Sequence, residues 1–265
     1  MRRDYQIAPG GQVQGHIRVP GDKSISHRSV MLGALAEGKS SVSGFLNSAD
    51  CLATMHAFQS MGVSISQKQD LLEVQGVGLH GLKSAEQALD VGNSGTSMRL
   101  LAGLLAGQKF DSTLTGDESL QKRPMERVIN PLTQMGADIS GIEGGRAPLS
   151  IRGKVKLQAI SYAMPVASAQ VKSCLLLAGL CGDASVQINE PGPSRDHTER
   201  MLQAFGASIQ QGPGTVGLSG SQTLTACDFS VPGDLSSAAF FLVAAAITPG
   251  ASLLIEGVGI NPTRA

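Results

Sequence analysis

The chain repeats itself, and that limits its fold more than any other feature. Three long apolar segments open on short polar runs, Lys23-Ser24, Asn93-Ser94-Gly95-Thr96 and Ser168-Ala169-Gln170. The openings at 24, 94 and 168 are 70 and 74 residues apart. After each comes a short β-like segment and a more polar helix, beginning near Asp50, at Pro124 and near Arg195-Asp196. Each polar helix ends at a Gly that opens a strand, in Met61-Gly62-Val63, Met135-Gly136-Ala137 and Phe205-Gly206-Ala207. Gly is the expected residue just past a helix, where the backbone turns left-handed. The distances from opening to Gly are 38, 42 and 38, too regular for accident.

The apolar segments, such as Leu-Leu-Ala-Gly-Leu-Leu-Ala-Gly over 100–107 and Cys-Leu-Leu-Leu-Ala-Gly-Leu over 174–180, have no polar face. A helix apolar all round is a buried helix. The charged second helices then cover the outside, with strands over 14–19, 111–115, 185–189 and 216–219 forming sheets around the buried ones. The expected fold is a pseudo-three-fold α/β (α+β) domain with mixed parallel and antiparallel pairing, its helix openings converging at one end. A fourth copy starts at Gly233-Asp234-Leu235-Ser236-Ser237, with an apolar helix over 238–247 and a strand over 251–256. Its closing Gly is due roughly forty residues after Ser236, past Ala265, which predicts an incomplete second unit.

Formal charge is zero, aromatic residues are 3% and Trp is absent. Nucleic-acid binding wants a basic surface and stacking rings, so that class is excluded. The longest clean apolar run, 238–247, falls short of the ~20 residues that span a bilayer. The opening Met1-Arg2-Arg3-Asp4-Tyr5 lacks the apolar stretch of a leader. A soluble cytoplasmic protein is the expectation. The four Cys form no Cys-x-x-Cys pair; Cys174 and Cys181 read as core side chains, and Cys51 and Cys227 as non-catalytic. His16, His27, His56, His80 and His197 lack metal-ligand spacing, so neither metal nor cofactor is expected.

The most chemically loaded stretch is Pro-Gly-Asp-Lys-Ser-Ile-Ser-His-Arg-Ser over 20–29. Ser24 and Arg28 are four apart and share a helical face, while Lys23 sits at the helix mouth. There the unpaired backbone N–H groups and the helix dipole favour an anion. Taken alone, the segment reads equally as a capped helix with solvated charges. It is not a Walker loop, because the Gly-Lys-Ser/Thr core is missing.

Four blocks together resemble the enolpyruvyl transferase family, in its shikimate 3-phosphate branch: 20–28, Leu-Asp-Val-Gly-Asn-Ser-Gly-Thr-Ser-Met-Arg-Leu over 89–100, Ser-Leu-Gln-Lys-Arg-Pro-Met over 119–125, and Ala-Ser-Ala-Gln-Val-Lys-Ser over 167–173. The resemblance implies two globular domains, each of three βαβαββ units. Residues 20–228 would be the first. Residues 1–19 and 229–265 would belong to the incomplete second. It implies transfer of the enolpyruvyl group of phosphoenolpyruvate to the 5-hydroxyl of shikimate 3-phosphate, by a monomeric enzyme without cofactor, metal, nucleic-acid or membrane partner. Lys23 would contact both substrates and act in proton transfer and stabilisation of the tetrahedral intermediate. Ser24, Arg28, Ser168, Ala169, Gln170 and Arg195 would bind shikimate 3-phosphate. Asn93, Gly95, Thr96, Arg123 and Gln170 would bind phosphoenolpyruvate, with glyphosate sensitivity resting on Gly95. Asp50 would support the cluster by pairing with Lys23 or Arg28, and Lys172 reads as a helix-surface residue. The family's acid–base carboxylates have no matching motif before Ala265, so the 265 residues alone are expected to bind shikimate 3-phosphate weakly without turnover. Two alternatives are a UDP-N-acetylglucosamine enolpyruvyl transferase, disfavoured because 116–122 holds no Cys, and a non-catalytic anion-binding module.

Overall fold

A helix without a polar face must be surrounded, and the architecture follows from surrounding three of them. The structure, a computed structural model, describes residues 4, 6 and 10–264. Most of the opening stretch read for a leader, and Ala265, lie outside the described residues. Strand β1 (Gln14–Arg18) leads into α1 (Lys23–Leu35), β2 (Glu37–Ser43), α2 (Ala49–Ser60) and the hairpin β3 (Ser64–Lys68) with β4 (Leu71–Val77). Next come β5 (Leu89–Asp90), α3 (Gly95–Ala106), β6 (Ser112–Thr115), the short α4 (Glu118–Gln121), α5 (Glu126–Gln134), β7 (Asp138–Ile142) and β8 (Arg146–Arg152). A third stretch runs β9 (Ile160–Ala163), α6 (Ala169–Cys181), β10 (Val186–Asn189), α7 (His197–Ala204), β11 (Ile209–Gly212) and β12 (Thr215–Leu218). The last elements are β13 (Phe229–Ser230), α8 (Leu235–Ile247) and β14 (Ser252–Glu256).

The strands form three four-stranded sheets and one pair. In β5-β6-β8-β7 and in β9-β10-β12-β11 the first pairing is parallel and the other two antiparallel. The sheet β13-β2-β4-β3 has the same order of pairings, but its parallel edge strand arrives from the far end of the chain, Phe229 opposite Val42 and Ser230 opposite Ser43. Residues 229 and 230, which the resemblance assigns to the second domain, thus form the edge of the sheet that holds β2. Strand β1 pairs in parallel with β14, from Gln14 opposite Ser252 to Arg18 opposite Glu256.

Helices α1, α3 and α6 lie inside these sheets. Val30, Met31 and Leu35 of α1, Leu100, Leu101 and Leu104 of α3, and Leu175 and Leu176 of α6 are all fully buried. Burying each such side chain contributes about 1.5–3 kcal/mol. Helices α3 and α6 touch backbone to backbone, because a Cβ on Gly103 would lie 2.0 Å from the Cys174 carbonyl oxygen. The outer helices end as their glycines predict, with φ of +89° at Gly62, +86° at Gly136 and +90° at Gly206. Helix α5 starts at Glu126 rather than Pro124, since Asp117 has already capped the extra turn α4 and the chain needs 122–125 to redirect.

Helix α8 departs from this pattern. Its sequence is the most apolar of all, yet Phe240 is 79% and Ile247 75% exposed, with Phe241, Leu242 and Val243 also open. Leu254 and Ile260 are exposed as well. No helix among the described residues is long and apolar enough to cross a membrane.

Candidate active site

Each buried helix opens on a side chain that captures a first-turn backbone N–H. Asp22 accepts from the Ile25 N–H at 2.9 Å, Ser94 Oγ from the Ser97 N–H at 3.1 Å, and Ser168 Oγ from the Val171 N–H at 3.4 Å. Lys23 is the first residue of α1. Its half-exposed ammonium pairs with Asp50 Oδ2 at 3.0 Å, so Asp50 serves Lys23 and not Arg28.

Two buried hubs hold these openings together. His27 Nδ1 lies 2.8 Å from Thr54 Oγ1 on α2 and 3.2 Å from Ser97 Oγ on α3, and its Nε2 lies 3.3 Å from Ser94 Oγ. Burial, and after it the neighbouring Arg28 cation, holds the imidazole pKa down at about 4, so the ring is neutral near pH 7. One residue on, Arg28 donates from Nε to Thr198 Oγ1 on α7 at 2.6 Å, from Nη2 to Ser173 Oγ on α6 at 2.8 Å, and from Nη1 to the Ser24 carbonyl at 3.0 Å. Only 4% exposed and with no carboxylate within ion-pair distance among the described residues, its guanidinium pKa is pulled down to about 10 by burial, against the attraction of Glu199 and Asp22. A buried cation bonded only to hydroxyls and a carbonyl keeps most of its charge for an incoming anion.

The α3 and α6 openings meet at Gly95. Gln170 Nε2 donates to Thr96 Oγ1 at 3.0 Å, and Arg99 Nη1 donates to Gln170 Oε1 at 2.8 Å, which fixes the orientation of the amide. Arg123 donates to Asn93 Oδ1, and Asn93 Nδ2 donates to Asp117 Oδ2 at 2.7 Å. A Cβ built on Gly95 would stand 2.9 Å from Arg99 Nη1 and 3.3 Å from Arg123 Nη1. Two guanidiniums thus converge where Gly95 presents no side chain. Burial first, then Arg123 and Arg127, hold the Arg99 guanidinium below its usual range. A set of cations crowded against each other without acid partners is a place for a multiply charged anion.

Comparison with known proteins is consistent with this chemistry. The sequence profile of EPSP synthase (3-phosphoshikimate 1-carboxyvinyltransferase) matches residues 7–265. The chain belongs to the EPSP synthase family. It is 59% identical over 261 residues to the 3-phosphoshikimate 1-carboxyvinyltransferase of Methylococcus capsulatus, covering 98% of this chain and 60% of that protein. To the protein of the same name from Bacillus cereus it is 57% identical over 253 residues, covering 95% and 59%. A solved EPSP synthase structure from Acinetobacter baumannii superposes with a TM-score of 0.90 at 54% identity, covering 96% of this chain and 58% of the other. The chain thus spans about 60% of the length of the curated relatives it matches.

Within this EPSP synthase family chain, Lys23, Ser24 and Arg28 follow one another on α1, Asn93, Gly95 and Thr96 lie at the α3 opening beside Arg123, and Ser168, Ala169 and Gln170 form the α6 opening. Arg195 is exposed in the loop before α7 and has no side-chain hydrogen bond or ion pair among the described residues. Sequence reasoning passed over Arg99, Thr54, Ser97, Ser173 and Thr198. Arg99 carried a usable signal, its i+4 spacing from Gly95 on α3.

Lys172 requires a correction. It is not on the helix surface: its side chain is 1% exposed, and Nζ lies 2.7 Å from Glu190 Oε2 and 2.7 Å from Glu199 Oε1. A helix apolar on every side offers a lysine no route to solvent, so the fold supplies two acids instead. Glu199 is also 1% exposed, and burial keeps its carboxyl above the usual range despite the pull of Lys172. A surface cleft of about 730 Å³ between α2 and residues 83–90 contains none of the sequence-expected site residues. Among the described residues no cluster of His, Cys, Asp and Glu is disposed to hold a metal ion.

Proposed function

We propose that this chain supplies the anion-binding part of an enzyme that transfers the enolpyruvyl group of phosphoenolpyruvate to the 5-hydroxyl of shikimate 3-phosphate and releases phosphate. The observation that carries the reading is the meeting of Arg99 and Arg123 at Gly95, with Arg28 joining α1 to α6 and α7, and no carboxylate within 4.0 Å of any of the three among the described residues. Both substrates carry a phosphate and a carboxylate, and positive ends of helices with acid-free guanidiniums are what such ligands require.

In this reading Lys23, Ser24, Arg28, Ser168, Ala169, Gln170 and Arg195 hold shikimate 3-phosphate, and Lys23, Asn93, Gly95, Thr96, Arg123 and Gln170 hold phosphoenolpyruvate. The 5-hydroxyl oxygen gives up its proton as it bonds to the enol carbon, while the neighbouring methylene takes a proton and becomes a methyl, giving a tetrahedral intermediate. The C–O bond to phosphate then breaks, inorganic phosphate leaves with that oxygen, and the methyl loses a proton to re-form the carbon–carbon double bond. Lys23, steered by Asp50, is the proton-handling cation and stabilises the charge that develops. The repeated order of sheet pairings supports a three-unit domain. The pairing of β1 with β14 and the open apolar side of α8 support a second globular unit that includes residues before 20 and after about 231. The 265 residues then bind shikimate 3-phosphate without appreciable turnover.

Titration calorimetry with shikimate 3-phosphate and with UDP-N-acetylglucosamine tests this. Heat of binding is expected with the first alone. Uptake of neither, or of the nucleotide sugar in preference, overturns the assignment.

A further inference from the structure

Residues 261–264 make contacts that the reading above does not use. The Arg264 guanidinium, 13% exposed, lies 3.1 Å from Asp22 Oδ2 and 3.5 Å from Asp234 Oδ1, and donates to Ser236 Oγ. The two carboxylates do the same work on different helices. Asp22 caps α1 through the Ile25 N–H, and Asp234 caps α8 through the Ser236 N–H at 2.8 Å. The backbone runs alongside, with the Asp22 N–H on the Pro232 carbonyl and the Asp234 N–H on the Pro20 carbonyl, both at 2.8 Å. Three residues earlier, Asn261 Nδ2 donates to Asp196 Oδ1 at 2.7 Å, and Thr263 Oγ1 donates to the same oxygen at 3.2 Å. Asp196 follows Arg195 and precedes the first residue of α7.

We propose that Arg264 and Asn261 are positioning residues for the anion site, a strap that ties the cap beside Lys23 and the loop bearing Arg195 to the opening of α8. The proposal rests on the assignment of Lys23 and Arg195 to shikimate 3-phosphate. Asp22 spends one oxygen on the α1 cap and the other on Arg264, so its carboxylate plane is fixed from both sides. Without Arg264 the second oxygen is free, the carboxylate can rotate toward the adjacent Lys23 ammonium, and the first turn of α1 loosens. The capping of α8 and the geometry of Lys23 are thereby linked through a single guanidinium.

The test uses the 265-residue chain and its Asp234→Asn, Arg264→Ala and Asn261→Ala variants. Amide hydrogen exchange is followed without ligand, and shikimate 3-phosphate binding by calorimetry. Asp234→Asn leaves an oxygen to cap α8 but weakens the Arg264 pair, so faster exchange of the Ile25 amide, on a different helix, is the signature that a purely local role does not produce. Arg264→Ala is expected to speed Ile25 exchange and weaken shikimate 3-phosphate binding by about tenfold each. Asn261→Ala is expected to act on the 197–199 amides and on affinity. Unchanged Ile25 exchange in both Asp234→Asn and Arg264→Ala overturns the strap, as does unchanged affinity in a variant whose exchange has risen. A wild-type chain that takes up no shikimate 3-phosphate overturns the proposed function, and the strap is then judged on exchange alone.

Discussion

Replacing Lys172 by Met keeps the length of the side chain and removes the ammonium paired with both Glu190 and Glu199, at 2.7 Å each. Breaking a buried ion pair by deleting one partner costs about 3–5 kcal/mol, because the remaining charge is stranded out of water. Lys172, Glu190 and Glu199 are 1%, 8% and 1% exposed, so solvent offers little relief. At about 2–4 °C per kcal/mol for a chain of this size, Lys172→Met is expected to lower Tm by about 6–20 °C. The deficit carries a pH signature. Burial already holds the Glu199 carboxyl above its ordinary range, and without the ammonium it rises further. A folded-state pKa above the unfolded one means that the protonated form favours the fold, so this contribution is present at low pH and lost as pH rises through the folded value. The Lys172→Met deficit is therefore largest at pH 7–8 and narrows toward pH 5. The triple variant Glu190→Gln, Lys172→Met, Glu199→Gln, with no stranded charge, regains most of the loss. Urea denaturation followed by circular dichroism at several pH values measures all of this. A Lys172→Met protein within about 1 kcal/mol of wild type at pH 7.5 refutes the reasoning.

The His27 imidazole has a folded pKa of about 4 against 6.5 unfolded, so the unfolded chain binds the proton first and stability falls as pH drops from 6.5 to 4, by at most about 3 kcal/mol; His27→Gln is expected to flatten that part of the profile in urea melts, and an unaltered slope counts against the hub. Gly95→Ala places a methyl against the ends of two flexible side chains, Arg99 and Arg123, so the melting temperature is expected to stay within about 2 °C. Under the proposed function, a full-length enzyme with the same change is expected to show weaker glyphosate inhibition through displaced guanidiniums, and equal sensitivity in both forms removes the role of Gly95. Arg195→Ala, at an exposed position, is expected to leave the urea midpoint unchanged while weakening shikimate 3-phosphate about tenfold in calorimetry, and undiminished affinity removes it from the site.

What the sequence made legible was local or periodic. The apolar runs of α1, α3 and α6 and the glycines at 62, 136 and 206 are written in consecutive residues, and the helix caps at Asp22, Ser94 and Ser168 follow from short-range chemistry. Lys172 was misread because its partners lie 18 and 27 positions downstream, beyond any helical spacing. The lone charge in an apolar helix was nevertheless a clue to burial. The Arg28 hub depends on Ser173 and Thr198, ordinary small polar residues until the fold stacks α6 and α7 on α1. The edge strand β13 is two residues long and has no pattern of its own; only the vacancy beside β2 gives it meaning.

That vacancy bears on how the chain is made. The sheets of the second and third stretches can be completed in the order the ribosome delivers them, the former from residues between 89 and 152 and the latter from residues between 160 and 218. The first sheet lacks its edge until residue 230 has emerged, although its other strands appear before residue 78. Of the three four-stranded sheets, the one whose other strands come first is thus the last to gain its edge. During synthesis the outer side of β2 is an open template, the kind of strand edge that chaperones guard.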